Sequence, residues 1–167
     1  YKESLKKAVL NSLALKKPIV LDADALSCFA DEPEVLLNAM HEKCVITPHE
    51  GEFGRLFPNV EGLKHERVML AAEMTDAVIL LKGADTIICK ASRKPVFHTH
   101  ATAWLATAGA GDVLAGMICG LLGQGMEPLE ATCAAAWMHG EAAIRKGPGL
   151  VAPDLIEEIP AILRNFS

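Results

Sequence analysis

Aromatic side chains are scarce in this sequence: one Tyr, two Trp and five Phe among 167 residues. Proteins that bind single-stranded nucleic acid stack bases on aromatic rings, so this composition points elsewhere. Basic clusters are equally sparse, none exceeding Ser92-Arg93-Lys94, and the formal net charge is −5. Both disfavour binding to a phosphate backbone, although a local site can still hold a small anion against the global charge. No apolar run approaches the roughly 18 residues of a membrane span, and no secretory leader is visible. The five cysteines (Cys28, Cys44, Cys89, Cys119 and Cys133) are odd in number, widely spaced and free of any C-x-x-C pair. Buried free thiols in a reducing compartment are therefore expected, which places the protein in the cytoplasm. The phosphate-binding motif G-x-x-x-x-G-K-[ST] is absent. No G-x-G-x-x-G follows the first apolar run, which disfavours a dinucleotide-binding Rossmann domain.

What is present is aliphatic: 51% of residues are hydrophobic, enough for the core of one domain. Helical spacing of Leu5, Val9, Leu10 and Leu13 predicts a helix over residues 1–15, broken by Pro18. Short apolar runs at Ile19–Leu21, Cys44–Ile46 and 77–81 each end in polar residues, the signature of strands buried on both faces. Thr86–Cys89 and 95–98 predict an antiparallel hairpin at a sheet edge. Helices are expected at 34–41, up to Leu56, at 63–74, 113–122 and 128–145, and at 153–166 with a break or bend at Pro160. Alternating strands and helices define an α/β fold with a mostly parallel sheet covered on both faces. Ile19–Leu21, apolar throughout, is expected to be a central strand needing neighbours on both sides, some of them from beyond this chain, so that an exposed apolar sheet edge or face is expected here. Ligands of such sheets bind at the carboxyl ends of the strands. There the sequence puts Asp22 and Asp24, Thr47-Pro48-His49-Glu50-Gly51-Glu52, and Lys82-Gly83-Ala84-Asp85-Thr86.

The sharpest chemical signal is Gly109-Ala110-Gly111-Asp112. Small residues let the backbone turn tightly against a ligand, and the apolar helix behind them aims unpaired N–H groups and a positive dipole end at it. Phosphate oxygens suit that environment. Asp112 beside it is either a base acting on a hydroxyl or merely the cap of the helix. The other polar groups also carry two readings. His49 either satisfies a loop or meets a ligand. Lys82 is a surface charge or a phosphate contact. Asp22 is read as capping the strand end, with Asp24 the candidate to line the site. Glu50 and Glu52 could hold Mg²⁺ through water, though their spacing matches no metal motif. His41, His65, His98, His100 and His139 are assigned structural or solvated roles.

The run Leu105-Ala106-Thr107-Ala108-Gly109-Ala110-Gly111-Asp112-Val113-Leu114-Ala115-Gly116 resembles the signature loop of ribokinase-like enzymes. Within that group it is similar to the ADP/ATP-dependent NAD(P)H-hydrate dehydratases. Three further segments match in order: Leu21-Asp22-Ala23-Asp24-Ala25-Leu26, the Thr47–Glu52 run, and Leu81-Lys82-Gly83-Ala84-Asp85-Thr86. The resemblance implies a ribokinase-like three-layer α/β/α fold. Because that family's catalytic domain extends further at its N-terminus, residues 1–167 are expected to form the C-terminal portion of a single nucleotide-binding domain. The family also carries an Asn shortly before L-A-T, where this chain has His98-Thr99-His100-Ala101-Thr102-Ala103-Trp104.

By the same resemblance, Lys82, Gly83, Ala84, Asp85, Thr86, Gly109, Ala110 and Gly111 bind ADP or ATP. Asp112 is the catalytic base, and His49 and Asp112 contact hydrated NADH or NADPH. Mg²⁺ accompanies the nucleotide, with no metal-ligating residue assigned in the protein. The implied reaction phosphorylates the ring hydroxyl and then eliminates phosphate. The implied partners are the hydrated dinucleotide, an adenine nucleotide, further copies of the chain in a homo-oligomer, and a fused or associated epimerase domain. Nucleic acid and membrane are not among them. Two alternatives stay open: a sugar or vitamin-precursor kinase of the same fold, and an inactive nucleotide-binding remnant.

Overall fold

A computed structural model describes residues 1–166. In chain order the elements are α1 (Lys2–Ala14), β1 (Ile19–Leu21), α2 (Asp24–Ser27), α3 (Pro33–Leu37), β2 (Cys44–Ile46), α4 (Glu50–Leu56) and α5 (Lys64–Thr75). There follow β3 (Val78–Leu81), β4 (Thr86–Cys89), β5 (Val96–His98), a 3₁₀ turn (Ala103–Leu105), α6 (Ala110–Gly123), α7 (Pro128–Lys146) and α8 (Ala152–Leu163). A last 3₁₀ turn spans Arg164–Phe166. The strands form one sheet in the order β1-β2-β3-β4-β5. The first three are parallel, and β4 and β5 run antiparallel to their neighbours.

Successive strand residues point to opposite faces, and here each face has its own core. Cys44, Ile46, Ile79, Leu81, Ile87 and Cys89 pack with Val9, Leu13, Phe29, Phe53 and Val68, residues of α1 to α5 and their connections. Val45, Val78, Leu80 and Ile88 pack with Leu114, Ile118, Ala135, Ala142, Leu155 and Ile162 of α6, α7 and α8. From β2 to β4 the sheet is wetted on neither face, which explains their unbroken apolar runs, whereas Val96 and Phe97 of β5 are exposed; the architecture is a three-layer α/β/α sandwich. Three of the thiols, at Cys28, Cys44 and Cys89, are buried as expected; Cys133 is half-buried and Cys119 exposed. Burial pushes the Cys44 thiol up to about 11.

β1 lies at one end of the sheet, paired only with β2 among the described residues, and Ile19 and Val20 are half-buried. Its outer edge has no strand partner among those residues, which is the open apolar edge expected. Two other expectations are corrected. The helix expected from Val113 begins at Ala110 instead, so it takes in Gly111 and Asp112. Pro160 does not interrupt α8, which runs through it to Leu163.

Candidate active site

The parallel strands deliver their carboxyl ends to one rim of the sheet. Asp22 leaves β1 there, Thr47 leaves β2 and Lys82 leaves β3. The hairpin keeps β4 and β5 on that rim: β4 starts at Thr86, and Thr86 sits opposite His98 at the end of β5. The turn between β3 and β4 is closed by Thr86, whose hydroxyl donates to the Gly83 carbonyl at 2.9 Å and accepts the Gly83 N–H at 3.3 Å.

Lys82 Nζ is 2.8 Å from Asp22 Oδ1, a half-buried ion pair joining residues 60 apart in sequence. The first residue of the turn after Asp22 is strained. Ala23 sits at φ 49°, ψ −120°, a region that favours glycine and costs about 1–3 kcal/mol. Such strain persists where surrounding contacts over-determine it, and it clusters at functional sites.

α6 enters from above this rim. Its N-cap is Gly109 at φ 84°, a left-handed conformation that lets the chain turn into the helix; no side chain caps it. The N–H groups of its first turn have no partner within the helix. A Cβ placed on Gly111 would stand 3.6 Å from Lys82 Nζ and 3.8 Å from Asp22 Oδ2. Asp112 follows, exposed, and no hydrogen bond or ion pair to its carboxylate occurs among the described residues. The capping reading of Asp112 therefore has no bond to support it.

Between α6, the hairpin turn and the 98–106 segment lies a cleft of about 600 Å³. Lys82, Gly83, Ala84, Thr86, Ala110 and Gly111 line it on one side. Apolar groups including Ala101, Leu105, Leu114 and Ala136 line the rest, with His98, Thr102 and His139 as the added polar side chains. Six of the residues expected to bind nucleotide thus come together. Asp85 and Gly109 stand outside the lining. Asp85 pairs with Lys64 at 2.8 Å, and that ammonium holds its carboxyl below the usual range. His49 and Asp112 also lie outside it.

His49 is the N-cap of α4. Its Nδ1 accepts the N–H of Gly51 at 2.9 Å and of Glu52 at 3.2 Å, while the Glu52 carboxylate accepts the His49 N–H at 2.9 Å. This capping box explains the spacing of the motif. It also fixes the neutral tautomer: with Nδ1 accepting, the proton sits on Nε2, on a side chain that is half-exposed. Glu52 is buried in that box, and Glu50 pairs with Arg67 at 3.0 Å. Neither carboxylate is arranged as a metal ligand.

His139, read from the sequence as structural or solvated, also lines the cleft. It is buried, and its Nε2 is 2.9 Å from the Ala110 carbonyl oxygen. Burial pushes its pKa down to about 4, from 6.5 when solvated. Between those values the unfolded chain binds a proton that the folded one does not, so stability falls as pH drops from 6.5 to 4. The fall amounts to roughly 3 kcal/mol. Burial lowers His41 and His98 in the same sense. Urea denaturation at pH 7 and pH 4.5 is expected to show this loss, and a smaller loss in His139→Gln. An unchanged difference in that variant would mean that His139 is not the group held neutral.

The fold and the rim together define a ribokinase-like α/β domain. A ribokinase-like superfamily protein from Enterococcus faecalis superposes with a TM-score of 0.81, covering 97% of this chain and 58% of that one, at 24% identity. The family model for NAD(P)H-hydrate dehydratase matches residues 1–161, and the chain belongs to that family. Curated relatives include a bifunctional NAD(P)H-hydrate repair enzyme of Salinibacter ruber, 43% identical over 87% of this chain and 28% of its own. An ADP-dependent (S)-NAD(P)H-hydrate dehydratase of Neisseria meningitidis is 37% identical over 89% of this chain and 52% of its own. The chain therefore spans between about a quarter and about half of these relatives' length. The Bacillus subtilis ADP/ATP-dependent NAD(P)H-hydrate dehydratase, co-crystallized with ATP/Mg²⁺ and soaked with CoA, gives a TM-score of 0.73 at 26% identity. It is matched over 90% of this chain and 57% of its own.

Proposed function

We propose that residues 1–167 act as the C-terminal portion of one ribokinase-like domain that dehydrates hydrated NADH or NADPH at the expense of ADP or ATP. The observation that carries this reading is the convergence of Lys82, Thr86 and Gly111 on one side of the cleft, at the start of α6. The adenosine part of the nucleotide occupies the apolar cleft, with Gly83, Ala84 and Thr86 alongside it. Its phosphates lie at the Gly109-Ala110-Gly111 turn, against the Lys82 charge and the helix N–H groups. Asp85, pointing away toward Lys64, contributes through the turn's shape.

Asp112 takes the proton of the substrate's ring hydroxyl, whose oxygen attacks the terminal phosphoryl group; the bridging P–O bond breaks and the rest of the nucleotide, AMP from ADP or ADP from ATP, leaves with its electron pair. The new phosphate ester then breaks at its C–O bond. Phosphate departs with the bonding electrons, and loss of a ring proton restores the double bond. Hydroxide is a poor leaving group and phosphate a good one, which is the use of the nucleotide. His49 offers its Nε2 proton to the hydrated dinucleotide. Among the described residues no group of three or more His, Cys, Asp or Glu is arranged to hold a metal. Mg²⁺ fits this site as an ion carried by the nucleotide phosphates, where it neutralises charge. The partners we assign are a second copy of the chain in a homo-oligomer and an epimerase domain, fused or associated. The compartment is the cytoplasm; no described helix is long and apolar enough to cross a membrane.

Lys82→Ala tests the placement. Losing a charged contact of about 1.5–3 kcal/mol weakens nucleotide binding by roughly ten- to a hundredfold. Calorimetric titration with ADP and ATP checks it, and wild-type affinity in the variant would remove the phosphates from this rim.

A further inference from the structure

Because α6 starts without a side-chain cap, what steadies its first turn matters to anything bound there. The tie comes from α7. His139 Nε2 lies 2.9 Å from the carbonyl oxygen of Ala110, the first residue of α6. A carbonyl only accepts, so Nε2 carries the ring proton and donates it; the oxygen's second lone pair serves the helix ladder. The Ala110 carbonyl and the Gly111 N–H share one planar peptide, and with no cis bond among the described residues they point in opposite directions. Holding the carbonyl toward α7 therefore aims the Gly111 N–H away from it, out of a first turn where it has no helical acceptor. Gly111 stands on the Lys82 side of the cleft. The same turn of α7 also grips the facing wall: Glu141 pairs with His100 at 2.9 Å, and the backbone of Gly140 lies against the His100 carbonyl.

We propose that His139 is a positioning residue that sets the direction of the Gly111 N–H toward a bound phosphate. This rests on the nucleotide reading of the cleft. His139 contributes neither charge nor proton to the reaction; it acts through the peptide that follows Gly109.

Two substitutions separate the roles of the two ring nitrogens. Gln places an amide N–H near the position of imidazole Nε2 and can still reach Ala110. Asn places its amide near Nδ1 and cannot. ADP and adenosine affinities are measured by calorimetry on the wild-type chain, His139→Gln and His139→Asn. His139→Gln is expected to bind ADP within about threefold of wild type, and His139→Asn roughly tenfold more weakly or worse. Adenosine, which has no phosphate, should bind all three alike. The proposal is overturned if His139→Asn binds ADP as wild type does. It is equally overturned if adenosine weakens in step with ADP, the mark of a cleft disordered as a whole. If the wild-type chain binds ADP no more tightly than adenosine, the phosphate reading of the rim fails and the role of His139 falls with it. That outcome is recognised before any variant is made.

Discussion

Asp112→Asn is expected to lower turnover of hydrated NADH by about 10²–10⁴-fold, the usual contribution of a general base. The carboxylate stands in the first turn of α6, exposed and without a hydrogen bond or ion pair among the described residues. A group with no structural partner can be altered without loosening the fold, so the melting temperature should stay where it is. Asparagine keeps the shape and removes the lone pair that would accept the hydroxyl proton. ADP affinity should also hold, or rise slightly as a negative charge near the phosphates is removed. The measurements are steady-state turnover with hydrated NADH and calorimetric ADP binding, read together because a loss confined to kcat marks an interaction made only in the transition state. Wild-type turnover in this variant would leave Asp112 no catalytic part.

Gly140→Ala should be the most damaging single change in the fold. A Cβ on Gly140 would lie 1.7 Å from the His100 carbonyl oxygen and 2.9 Å from its carbon. The obstacle is backbone, which has no rotamer to swing aside. Either α7 backs away from the 98–101 segment or that segment moves off the sheet rim, and both open the cleft. Overpacking of this kind costs about 3 kcal/mol or more. For a domain of this size that lowers the melting temperature by roughly 10 °C. Scanning calorimetry checks it, and a drop of under about 2 °C would show that the segment yields freely.

How far the sequence foretold this molecule depends on range along the chain. Ile19–Leu21, Cys44–Ile46 and Thr86–Cys89 stand where their apolar runs put them, because strands buried on both faces leave a local signature. The short helices fared worse. Asp24–Ser27 lacks the length for any period to show, and the expected 34–41 helix is Pro33–Leu37. The start of α6 was misread because Gly109-Ala110-Gly111 has the composition of a loop. Only the left-handed φ of Gly109 shows that the helix begins at the next residue.

The candidate site divides along the same line. Contiguous motifs gave Lys82 and Gly111. The pairing of Lys82 with Asp22, the bond from His139 to Ala110 and the pressing of Gly140 on His100 join distant segments. No spacing rule reports such contacts. A single histidine followed by glycine inside the Ala-rich, buried stretch of α7 was the one available hint.

Every residue that lines the cleft falls between Lys82 and His139, and none comes from the earlier part of the chain. His49 and the strained turn at Ala23 belong to that earlier part. The pocket is thus built from one uninterrupted stretch of chain, while the β1 and β2 ends of the rim come from before it. Substitutions in those earlier ends can therefore alter the rim without changing any residue that lines the cleft.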